Sequence, residues 1–500
     1  MVLASLTLLL SLQAAPDSLD RSDVLGRTAV RERALSAARE QEDSPATFLV
    51  GATEGYTEVG VGFDGRRENR PAYVEEGRWK AEAVARVHTL VRLDSLQAVR
   101  GYVEYRNGRK GGVVWNSGSD FSTVYPYIVA DTVGGKVFLE QYAFSGSYAC
   151  RAGDFYFGVQ GDYRALQEYR TVDPRPRSIV SDLRTAVAAG YAPGDRYAID
   201  VTVAYRRYSQ SQTIDFYSHL GNNSAVFHLT GLGGDFYRFA GATDAYLTTR
   251  YAGNGLQCLL SFVPVGGGRG WKASADYRLL NITHYLINQN NTPYTESLRR
   301  EAYLEAGWLD SRWAVWAHGR AKWLTGIESV IDNGNAGRFL ELLRFKMYTG
   351  RRYDIGLDGV WEPGAWSFTA AAAWKRLEES YVYPVRKMNL SLLECALGGR
   401  YRRRLSVDWL CSAGFSAAYR LNLAGKLELP AAQTRPLALT HIRGRYEGLE
   451  ENVVSAGVHL RADRRIAANL SLFLSIDGQF LSGDDGRRAG YGSLTLGCNF

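Results

Sequence analysis

The chain has 500 residues, with 31 Tyr, 11 Trp and 53 Gly against 13 Pro and 3 Met, and a formal net charge of +7. A mean hydropathy of −0.23, and no uninterrupted apolar run approaching about twenty residues, exclude a bundle of membrane-spanning helices. The charge is too small and too evenly spread for a nucleic-acid footprint. Cys150, Cys258, Cys395, Cys411 and Cys498 lie far apart with no CxxC, which argues against a disulfide scaffold or a zinc site.

Residues 1–15, MVLASLTLLLSLQAA, are too short an apolar run to span a bilayer and end in small residues, as a secretory signal peptide does. No Cys follows, so no lipid anchor is expected. Residues 16–46 are rich in Arg, Glu and Ala, with Val24, Leu25, Val30 and Leu35 at loosely helical spacing. They read as a periplasmic helix or a plug entering a barrel, with a flexible tail as the alternative. Residues 47–500 form one continuous β region without a Pro- or Ser-rich linker.

Two-residue periodicity decides the fold class. Between Arg78 and Leu93 one face carries Trp79, Ala81, Ala83, Ala85, Val87, Thr89, Val91 and Leu93; the other carries Arg78, Lys80, Glu82, Arg86, His88 and Arg92. A face with so many charges must meet water, because an unpaired buried charge costs several kcal/mol. The same two-faced pattern recurs at Phe155–Arg164, Tyr197–Arg206, Leu405–Arg420 and Asn469–Phe480. Such long strands suit a tilted crossing of a bilayer, and Trp313, Trp323, Trp361, Trp366 and Trp374 fit its interfacial girdles.

Tight turns are expected at Asp94-Ser95, Arg151–Asp154, Pro193–Asp195, Gly266–Gly270, Asp310-Ser311, Glu362–Ala365, Tyr401–Arg404 and Asp463-Arg464. They alternate with longer links near Asp64–Gly77, Asn107–Gly135, Tyr169–Val180, Ser209–Gly241, Tyr285–Leu298, Thr325–Phe339, Glu378–Pro384 and Leu421–Leu449, and a final hairpin follows near Ser482–Arg488. The pattern is that of an all-β, transmembrane, antiparallel up-and-down barrel with short periplasmic turns and long extracellular loops. The count is eighteen strands, with sixteen open because Thr243–Pro264 and Leu342–Trp361 are each long enough to be misread. The last strand carries Leu494 and Leu496 on its apolar face and ends on Phe500. It resembles the C-terminal signal read by the outer-membrane assembly machinery.

Three further stretches, DPRPRSIVSDL (Asp173–Leu183), FHLTGLGGDFYRFAG (Phe227–Gly241) and YAGNGLQCLLSFVP (Tyr251–Pro264), resemble an uncharacterised family of outer-membrane β-barrels. The resemblance implies location in the cell outer membrane and a tendency to be encoded near TonB-dependent receptors. It supplies no catalytic residues. In the second stretch Gly231, Gly233, Gly234 and Gly241 would let a long loop fold back tightly, even into the lumen.

No HExxH, GxSxG or Asp-rich calcium loop is present, so neither an enzyme nor a cofactor nor a metal is expected. His88, His318 and His459 fall on lumenal faces; His219, His228, His284 and His441 fall in or beside external loops. Asp215, His219, His228 and Asp235 form a candidate ligand site in one long loop. The most function-like constellation is a basic lumenal lining of Arg78, Lys80, Arg86, Arg92, Arg164, Arg206, Arg250, Lys272, Arg278, Arg320 and Lys322, which would bias a pore toward anions. The competing reading pairs these groups with Glu82, Glu104, Asp162, Asp200, Asp244, Asp276, Glu301, Glu305, Asp354 and Asp358 across strands.

Three functions follow for test: a transport or transport-accessory barrel acting alone or beside a TonB-dependent receptor, a sealed scaffold whose loops bind or assemble, and, lacking a constellation, an enzyme. Expected partners are outer-membrane lipid, the assembly machinery and a TonB-dependent receptor, with no nucleic acid.

Overall fold

A computed structural model describes residues 23–33, 44–51, 55–194, 196–217, 226–236, 244–332, 341–430 and 436–500. The strands in chain order are β1 (Tyr56–Glu68), β2 (Trp79–Arg92), β3 (Gln97–Val113), β4 (Ile128–Asp131), β5 (Gly135–Ala152), β6 (Phe155–Tyr169) and β7 (Arg175–Tyr191). Next come β8 (Tyr197–Asp215), β9 (Val226–Gly231), β10 (Gly234–Asp235), β11 (Thr249–Pro264), β12 (Gly270–Leu286), β13 (Thr292–Leu309) and β14 (Trp313–Ile331). The last are β15 (Glu341–Trp361), β16 (Trp366–Tyr381), β17 (Arg386–Ser406), β18 (Trp409–Glu428), β19 (Val453–Ala467), β20 (Leu470–Gly483) and β21 (Arg488–Asn499). Helices are α1 (Val24–Arg31), α2 (Thr47–Val50), α3 (Phe121–Val124), α4 (Asp244–Leu247) and α5 (Pro436–Glu450). None of those described is long and apolar enough to cross a membrane.

Eighteen strands form one closed antiparallel ring, and β4, β9 and β10 form a separate small sheet. β1 joins β21, with Val61 opposite Leu496 and Phe63 opposite Leu494. The terminal residue extends the seam: Phe500 N–H donates to Thr57 O at 2.9 Å. The two long segments that left the count open, in β11 and β15, are each a single strand.

The wall follows the alternation in the sequence. In β8, Ala198, Asp200, Thr202 and Ala204 are buried toward the lumen while Ile199, Val201, Val203 and Tyr205 are exposed on the outside. Leu256, Leu304, Leu397 and Leu496 continue that outer apolar belt, each more than half exposed. Transfer of such a side chain from water into hydrocarbon is worth about 1.5–3 kcal/mol, so the belt demands lipid.

Both ends of the wall lie at one rim, together with the turns 93–96, 153–154, 192–196, 265–269, 310–312, 362–365, 407–408 and 468–469. Two turn expectations are corrected. The segment Tyr401–Arg404 is strand, and β17 turns instead at Val407-Asp408; Asp463-Arg464 lies inside β19. The run of arginines reads as a polar turn, but Arg402 is buried in the lumen and Arg404 bonds Asp23 there. Asp463 likewise faces inward, held by Arg461 at 2.9 Å. At the external rim length is concentrated in the loops 114–134, 216–248 and 429–452, whereas 170–174, 287–291 and 382–385 are as short as the opposite turns because their strands run further out.

Those long loops turn inward. β4 pairs with β9, and β9 with β10. The β9–β10 turn needs the positive φ of Gly231 (88°) and Gly233 (75°), a conformation nearly free only for glycine. Phe121, Val124, Tyr125, Ile128 and Leu229 of this inner layer pack against Leu139, Leu166, Val180, Tyr208, Tyr251, Ile282 and Tyr348 of the wall. The outer part of the lumen is therefore filled by a lid with an apolar core.

At the opposite mouth α1 lies against β18, β19 and β20. Asp23 caps its N-terminus by accepting from Gly26 N–H at 2.7 Å. Residues 44–50 lie against the facing wall, where Ser44 Oγ donates to Asp200 at 2.9 Å and Phe48 and Val50 join a cluster with Tyr156 and Ala198.

Candidate functional site

The lumen between lid and N-terminal segment is the candidate site. Its wall is charged because alternate residues must face inward, and its charges occur in pairs. Lys80 lies 2.8 Å from Glu82, and Arg86 3.7 Å from Asp64. Arg164 bridges Asp182 (3.3 Å) and Asp120 of the lid, and Arg206 bonds Asp182 at 2.8 Å. Lys272 pairs with Glu305 at 2.9 Å and Arg278 with Asp276 at 2.6 Å, while Arg320 and Lys322 share Glu301 at 3.4 and 3.2 Å. Arg92 donates to the carbonyls of Phe48, Leu49 and Gly51 and so holds α2 in place. Arg78 stands exposed at the external rim, just before β2.

Arg250 departs from the expectation: it lies on the outward face of β11, exposed, next to the buried lumenal residues Thr249 and Tyr251. Near the rim both faces of a strand meet water, so a charge there does not mark the lumenal side. Most basic residues of the expected lining that face the lumen are thus held by carboxylates.

Three residues of the proposed loop ligand site are described, and of these His228 and Asp235 lie on paired strands while Asp215 stands on the outer wall. Asp215 ends β8 on its exposed outer face, while His228 is fully buried in β9. His228 Nδ1 lies 2.8 Å from Tyr294 Oη and Nε2 lies 3.1 Å from the Tyr246 carbonyl. Asp235 is half-buried in β10, and His219 lies outside the described residues. Among the described residues no group of three or more His, Cys, Asp or Glu side chains is placed to hold a metal. Burial depresses the His228 imidazole to about 4, so it is neutral in the closed lid.

The lid carries the residues that sequence patterning missed. Glu75, in the short 3₁₀ turn Val74–Glu76 of the first external loop, has no exposed surface. His441 Nε2 lies 2.9 Å from its carboxylate, and the Arg445 guanidinium bonds the same oxygen, both from α5. Burial pushes the Glu75 carboxyl up, but Arg445 and His441 outweigh it and hold the group below its usual range. Trp115 of the second loop stacks on His441 with ring centroids 5.2 Å apart. Arg445 lies over the rings of Tyr73, Phe121 and Tyr125. The first loop and α5 thus lock through one buried carboxylate, and the second loop joins them by stacking on its histidine and by Asn116 donating to the Glu75 carbonyl. The second loop is also tied to the wall by Ser119 to Glu168 (2.9 Å) and Tyr125 to Glu379 (2.7 Å).

Beneath this lock lies a chamber of about 470 Å³ lined by Asp64, Lys80, Glu82, Arg106, Asp120 and Glu168, among others. A family model described as a family of unknown function (DUF6850) matches residues 45–500. The chain belongs to that family. The match begins in the segment packed at the lumen mouth and spans the whole wall, so lid and chamber both lie inside the DUF6850 region. Among curated proteins none matches the chain.

Several solved structures share the barrel outline. The ferric enterobactin receptor PfeA of Pseudomonas aeruginosa, in a mutant form, is 9% identical, with 89% of this chain and 81% of that chain covered and a TM-score of 0.39. The siderophore receptor PiuA of Acinetobacter baumannii is 7% identical (90% and 82% covered, TM-score 0.41), and the copper transporter OprC is 8% identical (89% and 81%, TM-score 0.42). Likenesses this distant carry no argument about cargo.

Proposed function

We propose that this DUF6850 protein is an outer-membrane barrel with a transport or transport-accessory role, admitting or capturing a small polar solute through a lumen closed at rest by its own loops. The observation that carries this reading is the charged chamber of about 470 Å³ held beneath a lid whose lock is a single carboxylate. A chamber lined by both signs of charge suits a polar or zwitterionic solute better than a simple anion. A TonB-dependent receptor is the candidate partner. His228 spends both ring nitrogens on structural bonds, which speaks against its use as a catalytic base.

The second reading, a sealed scaffold, draws on the N-terminal residues packed inside the other mouth. Planar-bilayer recording separates the two. The transport reading expects a quiet wild type and a conducting protein once the 114–134 loop is replaced by a short turn; a silent loop-deleted barrel that also binds no solute leaves only the scaffold.

A further inference from the structure

The misplaced arginine leads to a second site, on the outside of the barrel. On the face formed by β7, β8, β11, β12 and β13 the apolar belt has a definite external edge. In β8 it runs through Ile199, Val201, Val203 and Tyr205, and Arg207 follows. Arg207 stands opposite Asn254 of β11, Asn254 opposite Asn281 of β12, and Asn281 opposite Leu298 of β13. On β8, β11 and β12 this row ends the run of exposed apolar side chains, while on β7 exposed Ile179, opposite Ser211, carries it further out.

Four exposed arginines stand around that edge in two tiers. Arg207 lies in the row and Arg300 two residues below it, while Arg250 and Arg177 lie further out, opposite Ser211 and Thr213 of β8, four and six residues beyond Arg207. Arg177 and Arg250 flank β8, so their backbones are roughly 10 Å apart, within reach of one bulky headgroup. Arg207 donates to Asn254 Oδ1 at 2.6 Å. Among the described residues no carboxylate pairs with any of the four, in contrast to the compensated lumen. Tyr205 lies just below the row and Tyr285 stands opposite Arg250, so an amphipathic ring accompanies each tier.

We propose that this face binds a phosphorylated glycolipid of the outer leaflet, its phosphates held by Arg177, Arg207, Arg250 and Arg300 and its acyl chains lying on the apolar belt below. The arginines stand on the rim of the long loops, and lipid supplies the anion that the protein does not. Guanidinium forks match phosphate oxygens in charge and geometry.

The full-length protein in mild detergent is titrated with bisphosphorylated lipid A as probe. The Arg177→Gln/Arg207→Gln/Arg250→Gln/Arg300→Gln variant should bind about a hundredfold more weakly or worse, with each basic group near an anionic headgroup contributing roughly fivefold. Arg312→Gln in an opposite-rim turn should bind as the wild type does. Retained affinity in the fourfold variant overturns the site. Equal binding of phosphatidylglycerol, or displacement by millimolar inorganic phosphate, overturns the assignment to outer-leaflet glycolipid. Should the fourfold variant fail to assemble, Arg207→Gln/Arg250→Gln carries the same test, with an expected loss of about twentyfold.

Discussion

Glu75 shows how much can hang on one carboxylate. Replacing it by Gln leaves the Arg445 guanidinium, only 3% exposed, without its counter-charge. Breaking a buried pair from one side costs about 3–5 kcal/mol, and here the cost falls on lid closure because the ring strands do not use the pair. Hydrogen exchange in residues 114–131 should therefore speed up by about a hundredfold or more in Glu75→Gln, while the wall amides keep their protection; unchanged protection in that loop would remove the lock. His228 adds a pH dependence of defined sign. Its folded value of about 4 lies below the ordinary 6.5, so an opened lid binds more protons between those values. Lid stability is then fully present above about pH 6.5 and declines as pH falls toward 4, by up to about 3 kcal/mol. Exchange measured at pH 7 and pH 4.5 should show the loss in wild type, and His228→Asn should flatten it.

At the scale of elements, the lock predicts that α5 and the first loop move apart when the lid opens. A Cβ added at Gly448 of α5 would lie 3.1 Å from the Ala72 Cβ, a few tenths of an ångström inside disulfide range. The Ala72→Cys/Gly448→Cys pair should cross-link under oxidation and restore slow exchange to a Glu75→Gln background, reversibly with reductant; exchange as fast in the oxidised as in the reduced form would mean that the lid opens elsewhere. These inner elements are where patterning in the sequence runs out. The strand faces were readable because charge and lipid cannot share a side, and that rule placed Lys80, Arg86, Arg164 and Lys322 correctly. It has no purchase on a loop. The run Phe121 to Ala130 is apolar for an external connection, and that was the available signal that it folds inward. The pairing of Glu75 with residues more than 360 positions away left no local trace. Arg250 was misjudged because the rule assumes that only one face is wet, which fails at the rim.

For the whole molecule, ring closure separates two jobs that a soluble protein combines. Stability of the wall comes from its hydrogen-bonded ring and apolar exterior, so the lumen is free to hold compensated charge and a lid built from loops. The strand count followed from turn spacing even though two turns were misplaced, because shifting a turn along a hairpin lengthens one strand and shortens the next without changing their number. The same separation governs conduction. If lumenal charge were a net basic lining, opening the lid would give an anion pore; with Arg164, Arg206, Lys272 and Lys322 each held by a carboxylate, the field along the axis largely cancels. A barrel with residues 114–134 replaced by a short turn should therefore conduct with little preference between K⁺ and Cl⁻. Substituting Asp182 and Glu301 by Asn and Gln should swing it toward Cl⁻ by releasing their arginines and lysine into the lumen. Reversal potentials in asymmetric KCl read this directly, and strong anion selectivity before those substitutions would mean that the pairs do not govern the lumenal field.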